Sequence, residues 1–147
     1  MKKIETVIHI HTPLQNVWNV LMDFQSYPEW NPFVKSIEGD VSPGHTLSVT
    51  LQLPGEKEMN FTPRVLRAEP HHEFRWKGKL FIKGLFDGEH YFILNPLPNG
   101  STSLKHGETF SGILPRLMPG ILKKTKTGFQ NMNVALKERC EAESSQA

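Results

Sequence analysis

The sequence predicts an α+β domain. A strongly curved antiparallel sheet of about seven strands would wrap around a long C-terminal helix, with two short helices after the first strand. Three observations carry this. Lys3 to His11 alternates with period two. The stretch from Val34 to Ser111 keeps that period between short turns. After Pro119 the spacing becomes helical. At 147 residues the whole chain, 1–147, reads as a single domain, large enough to fold without a disulfide or metal staple.

Each element has its own signal. In the first strand Ile4, Thr6, Ile8 and Ile10 share one face, and Glu5, Val7, His9 and His11 the other. Thr12 can cap a helix, and Pro13 suits a first helical position because its missing N–H would be unpaired there. Leu14, Val17, Trp18, Leu21 and Met22 then form one apolar face, ending near Asp23. Tyr27-Pro28 and Asn31-Pro32 pin a second short element. Thr46 to Leu53 alternates cleanly, and Pro54-Gly55 turns the chain. Met59, Phe61 and Val65 share a face, with Pro63 in the same parity, which predicts an edge or a bulge there. Phe74 and Trp76 mark the next strand. Strands near Gly88–Leu94 and Ser101–Ser111 follow, joined by a hairpin through Asn95 to Gly100. Met118, Leu122, Thr125, Phe129, Met132, Leu136 and Cys140 then step by three and four. Roughly 24 residues of such a helix would span about 36 Å, enough to cross the sheet.

Composition excludes several functions. Lys+Arg number 17 and Asp+Glu 15, which is not the concentrated basic patch of a nucleic-acid binder. The single cysteine, Cys140, allows no internal disulfide and reads as a packed small residue. The start has no secretory apolar run, and no stretch approaches the ~20 apolar residues of a membrane span. A soluble cytoplasmic protein, monomer or homodimer, is the expectation. There is no Gly-rich phosphate loop, no CxxC pair and no Ser/His/Asp arrangement. No cofactor and no metal site are expected, and His9, His11, His71 and His72 read as exposed polar positions.

Two runs carry a resemblance. The first is Val17-Trp18-Asn19-Val20-Leu21-Met22-Asp23-Phe24 followed by Tyr27-Pro28-Glu29-Trp30-Asn31-Pro32. The second is Glu108-Thr109-Phe110-Ser111-Gly112 ahead of the long helix. With the strand into Pro13, these resemble the START-like, or SRPBCC, helix-grip superfamily, and within it the polyketide cyclase/dehydrase and lipid-transport group. The resemblance covers nearly the whole chain. It implies a helix-grip fold around a cavity for a hydrophobic or amphipathic small molecule. Some relatives are cyclases, aromatases or dehydratases, and others are chaperone-activating or membrane-associated modules. No universal catalytic motif transfers to this chain, so whether it is an enzyme stays open.

The residues themselves supply a candidate site. Leu104, His106, Glu108 and Phe110 share a parity, as do His90, Phe92 and Leu94. If Phe92 pairs near Leu104, His90 falls near His106. Two imidazoles and a carboxylate would then face the interior, where they need partners: water or a polar ligand head in a cavity, or one another. A reversed face would instead give them to solvent. Trp30 and Trp76 are candidate cavity walls, with Phe92, Phe110, Phe129 and Met132 approaching the same space. The ligand-binding candidates are therefore Trp30, Trp76, His90, Phe92, His106, Glu108, Phe110, Phe129 and Met132. His90, His106 and Glu108 are the candidates for acid–base chemistry. Gly128, inside the helix, would permit a close approach or a bend. The segment Phe110 to Thr127 is punctuated by Gly112, Pro115, Pro119 and Gly120 among Ile113, Leu114, Leu117, Met118, Ile121 and Leu122; with Lys123, Lys124 and Lys126 beside it, it would suit a lid or a peripheral membrane contact.

Overall fold

The computed structural model describes residues 2–79, 86–112 and 119–145. The order is β1 (Lys2–Ile10), α1 (Leu14–Met22), a 3₁₀ turn (Phe24–Ser26), α2 (Tyr27–Trp30), β2 (Val34–Gly39) and β3 (Leu47–Gln52). There follow β4 (Glu58–Phe61), β5 (Arg64–Glu69), β6 (Glu73–Lys79), β7 (Phe86–Pro96), β8 (Thr102–Gly112) and a C-terminal helix (Pro119–Ser145). Of the lid segment suggested by the sequence, 110–127, residues 113–118 lie outside the described residues, and from Pro119 on it is part of the C-terminal helix.

The α+β class and the long last helix agree with the sequence, but the sheet does not. One strongly curved sheet of about seven strands was expected. Among the described residues, eight strands instead form two sheets, β1-β8-β7-β6-β5 and β2-β3-β4. Every ladder is antiparallel. The break falls at Pro63, between β4 and β5. Proline has no N–H for a ladder, so pairing stops there and the chain changes sheets. A corner holds the two together: an isolated bridge joins Thr46 and Arg64, and Leu47 N–H donates to the Pro63 carbonyl at 2.8 Å.

Periodicity explains what each element buries. β3 turns Leu47, Val49 and Leu51 into the core, with Leu53 just beyond it. Phe74 and Trp76 on β6, and Phe92 and Leu94 on β7, line the inner face of the large sheet. The C-terminal helix, 27 residues long, buries Thr125, Phe129, Met132, Leu136 and Cys140 along one stripe. Pro13 stands one residue earlier than expected, at the cap of α1, which buries Val17, Trp18, Val20 and Leu21. The Tyr27 hydroxyl donates to the Leu21 carbonyl at 2.7 Å, fastening α2 to α1. The core thus lies between the large sheet, the small sheet and the helix.

Candidate functional site

Strand parity puts His90 of β7 and His106 and Glu108 of β8 on the inner face, at 2 %, 0 % and 3 % exposure. The hairpin register differs by two residues from the expected one. Leu94 pairs with Leu104, Phe92 with His106, and His90 with Glu108. Pairing continues to Pro96 and Thr102, so the connection is tighter than Asn95 to Gly100. A slip of two leaves every side chain on its face, so the imidazoles still meet, now diagonally.

The buried polar groups form one continuous chain. Glu108 Oε1 lies 2.9 Å from His90 Nδ1, His90 Nε2 lies 2.8 Å from His106 Nε2, and His106 Nδ1 lies 2.7 Å from Asn133 Oδ1. Asn133 Nδ2 donates to Thr6 Oγ1 at 2.8 Å, and the Thr6 hydroxyl donates to the His106 carbonyl at 2.8 Å. With both imidazoles neutral, that last acceptor fixes the direction of every hydrogen before it. A carbonyl cannot donate, so Thr6 spends its only hydrogen there and must accept from the Asn133 amide. Asn133 then presents its oxygen to His106, whose Nδ1 carries the hydrogen. His106 Nε2 is left to accept from His90 Nε2–H. His90 Nδ1 is left to accept, and Glu108 must donate as a carboxylic acid.

Burial favours that neutral state. Burial raises the Glu108 carboxyl to about 8 and lowers His90 to about 3. His106 is pushed well below its ordinary value by burial and then by any charge on His90, while its bond to Asn133 pulls the other way. Near neutral pH the chain is uncharged. Moving one proton from Glu108 to His90 gives an ion pair with no change in net charge.

Aromatic rings enclose this chain. Trp76 stacks on His90 at 4.7 Å, and Phe129 on His106 at 4.4 Å. Phe92 lies 4.4 Å from His106. Phe33, between α2 and β2, packs against Phe129 at 5.4 Å and faces His90 at 6.3 Å. Asn31 aims it: its side-chain oxygen accepts the Phe33 and Val34 N–H groups at 2.9 and 2.8 Å. Gly128 makes room, since a Cβ there would stand 2.8 Å from the Phe33 ring.

Beside His90 and Glu108 lies a void of about 10 Å³, closed by Phe33, Leu51, Leu53, Phe61, Trp76 and Thr125. It holds about one water. Among the described residues, this void is the space that opens beside His90 and Glu108. Trp76, His90, Phe92, His106, Glu108 and Phe129 lie together, and Phe110 and Met132 are buried in the core. Trp30 is placed elsewhere by its contacts: it is half-buried and packs on Tyr27 at 5.3 Å. Phe33, Asn133, Thr6 and Thr125 belong to the site but were not singled out as site residues from sequence. Thr6 and Asn133 carried a signal, a lone polar residue on a buried face.

The other candidates fall away from this chemistry. Burial pushes the Cys140 thiol up to about 12, so it is a packing residue. Lys124 pairs with Glu56 at 3.1 Å. No described helix is long and apolar enough to cross a membrane. No cluster that could hold a metal ion occurs among the described residues.

A family model described as polyketide cyclase / dehydrase and lipid transport matches residues 1–141. The chain belongs to this family. Its fold is the START-like helix-grip fold, and solved structures agree. An aromatase/cyclase, ZhuI from a Streptomyces species, aligns at a TM-score of 0.78 and 14% identity, over 95% of this chain and 93% of that one. A START superfamily protein from Mycobacterium smegmatis aligns at 0.75 and 19%, over 95% and 97%. The di-domain aromatase/cyclase StfQ of the steffimycin pathway aligns at 0.75 and 14%, over 99% of this chain and 52% of that longer one. At these identities the likeness is one of fold. No curated protein sequence matches the chain.

Proposed function

We propose that this protein is an acid–base enzyme of the cyclase or dehydratase kind, acting on a largely apolar, polyketide-like substrate. The observation that carries the reading is the Glu108–His90 pair, buried and hydrogen-bonded at 2.9 Å beside an aromatic-walled void. Ring closure and loss of water both need a group that returns a proton to oxygen and accepts one from carbon. As a carboxylic acid, Glu108 can give its proton. With that proton on His90, it presents a carboxylate that can accept one. Asn133 holds His106 in one tautomer, and His106 in turn orients His90. The cyclase and aromatase names of the structural neighbours support the reading, as does the family description.

A substrate larger than a water needs more room than this void gives. Rotation of the Phe33 ring away from His90 would provide a ring-sized place. The same walls suit a carrier that holds its ligand unchanged, and the assay separates the two. β-Hydroxy-ketone mimics and poly-β-ketone mimics in their hydroxyl-bearing enol form should lose water or close a ring in the presence of the protein. Glu108→Gln should slow that step by about 100-fold or more. Wild-type activity should fall as pH rises through about 8, where Glu108 loses its proton. Turnover indifferent to Glu108→Gln would overturn the assignment, and mimics bound but recovered unaltered would mark a carrier.

A further inference from the structure

The hydrogen count around the void specifies the group it reads. Five hydrogens are committed along the chain: Glu108 to His90, His90 to His106, His106 to Asn133, Asn133 to Thr6, and Thr6 to the His106 carbonyl. Thr125, on the opposite wall, commits its hydroxyl hydrogen to the Ile121 carbonyl at 2.7 Å. What remains at the polar end is acceptors: lone pairs on Thr125 Oγ1, and the second oxygen of Glu108, which has no hydrogen-bond partner among the described residues. Among the described lining side chains, only Trp76 has a donor outside these bonds, its indole N–H.

From this we infer that the site selects a ligand hydroxyl, carried on an aromatic or similarly flat apolar body, which donates to the second oxygen of Glu108. A ketone or ether oxygen brings no hydrogen and would leave that oxygen unpaired in the interior, which costs binding free energy. An ammonium or carboxylate would enter an apolar space with no counter-charge. A hydroxyl donates to Glu108 and keeps lone pairs for an N–H. The rings of Phe33, Phe61 and Trp76, with Leu51 and Leu53, suit a flat apolar body. The inference names the substrate class of the proposed enzyme and shares its site, but it concerns recognition and does not depend on turnover.

Binding titrations of the full chain at pH 6.5 with 1-naphthol, 1-methoxynaphthalene and 1-methylnaphthalene, followed by NMR, test it directly. 1-Naphthol should bind at least tenfold more tightly than either hydroxyl-free analogue. Glu108→Gln should keep that preference, because its amide N–H can donate to His90 while its carbonyl accepts from the ligand. Glu108→Leu should abolish it. Phe33→Ala, which leaves the polar chain intact, should raise affinity for all three probes and keep their order. Equal affinities, tighter binding of the methoxy compound, or no saturable binding of 1-naphthol to either wild type or Phe33→Ala would overturn the inference. Glu108→Gln also separates this inference from the enzymatic reading. It should bind 1-naphthol selectively yet fail to turn over a substrate, so either claim can fail alone.

Discussion

The two faces of the large sheet treat similar side chains in opposite ways. On the inner face of β7 and β8, His90, His106 and Glu108 are buried and held neutral by their surroundings. On the outer face, Arg75 bridges Glu73 at 2.7 Å and Glu89 at 3.2 Å, and lies 4.7 Å over the Tyr91 ring. Tyr91 donates to Glu5 at 2.6 Å, and that bond lowers the Glu5 carboxyl, with Lys3 beside it. A carboxylate that gains a donor near water keeps its charge more firmly. A carboxyl deprived of water holds its proton and becomes a donor itself. One residue of strand phase separates the two outcomes. Glycines serve both faces: Gly128 admits Phe33 inside, and a Cβ on Gly107 outside would overlap the Tyr91 hydroxyl that reaches across it to Glu5.

This contrast predicts unequal costs. His106→Leu should be the most damaging change, since it strands the Asn133 oxygen and the His90 N–H in the interior. We expect a loss of about 2–5 kcal/mol in urea denaturation. A loss below about 1 kcal/mol would mean that water replaces the imidazole. Gly128→Ala and Gly107→Ala should each cost about 1–3 kcal/mol by overpacking. At Gly128 the better helix propensity of alanine offsets up to about 1 kcal/mol. If Phe33 is the obstacle, Phe33→Ala combined with Gly128→Ala should be non-additive.

The effect of pH separates the faces further. Between pH 4.5 and 6.5 the unfolded chain binds two more protons at His90 and His106, and the folded chain holds one more at Glu108. The unfolded state is ahead by one, so stability from this cluster rises with pH. Between 6.5 and about 8 only Glu108 differs, the folded state holds the extra proton, and stability falls. The contribution peaks near pH 6.5, and Glu108→Gln should remove the alkaline decline, which thermal melts across pH would show. Arg75→Ala, which breaks the exposed side's ion pairs, should cost only about 1 kcal/mol.

Much of this was readable in the sequence where period decides the answer. Alternation through Leu104, His106, Glu108 and Phe110 placed the polar groups inside, and the three-four spacing through Phe129 and Met132 placed the helix stripe. Register was less legible, because a two-residue slip preserves each face and only the turn distinguishes the pairings. Phe33 follows Pro32 in an irregular connection, where there is no period to read. Pro63 announced an interruption, but whether it bulges one sheet or divides two depends on which strands meet there. That is settled by tertiary pairing.

The central claim is that the buried chain is neutral and directional, with Glu108 as a carboxylic acid. Side-chain carboxyl ¹³C NMR across pH, assigned by comparing wild type with Glu108→Gln, tests it most directly. The account predicts one glutamate that remains protonated at pH 7 and titrates near 8, absent from the variant. A Glu108 signal that is already ionised at pH 6, titrating near the ordinary carboxylate value, would contradict it.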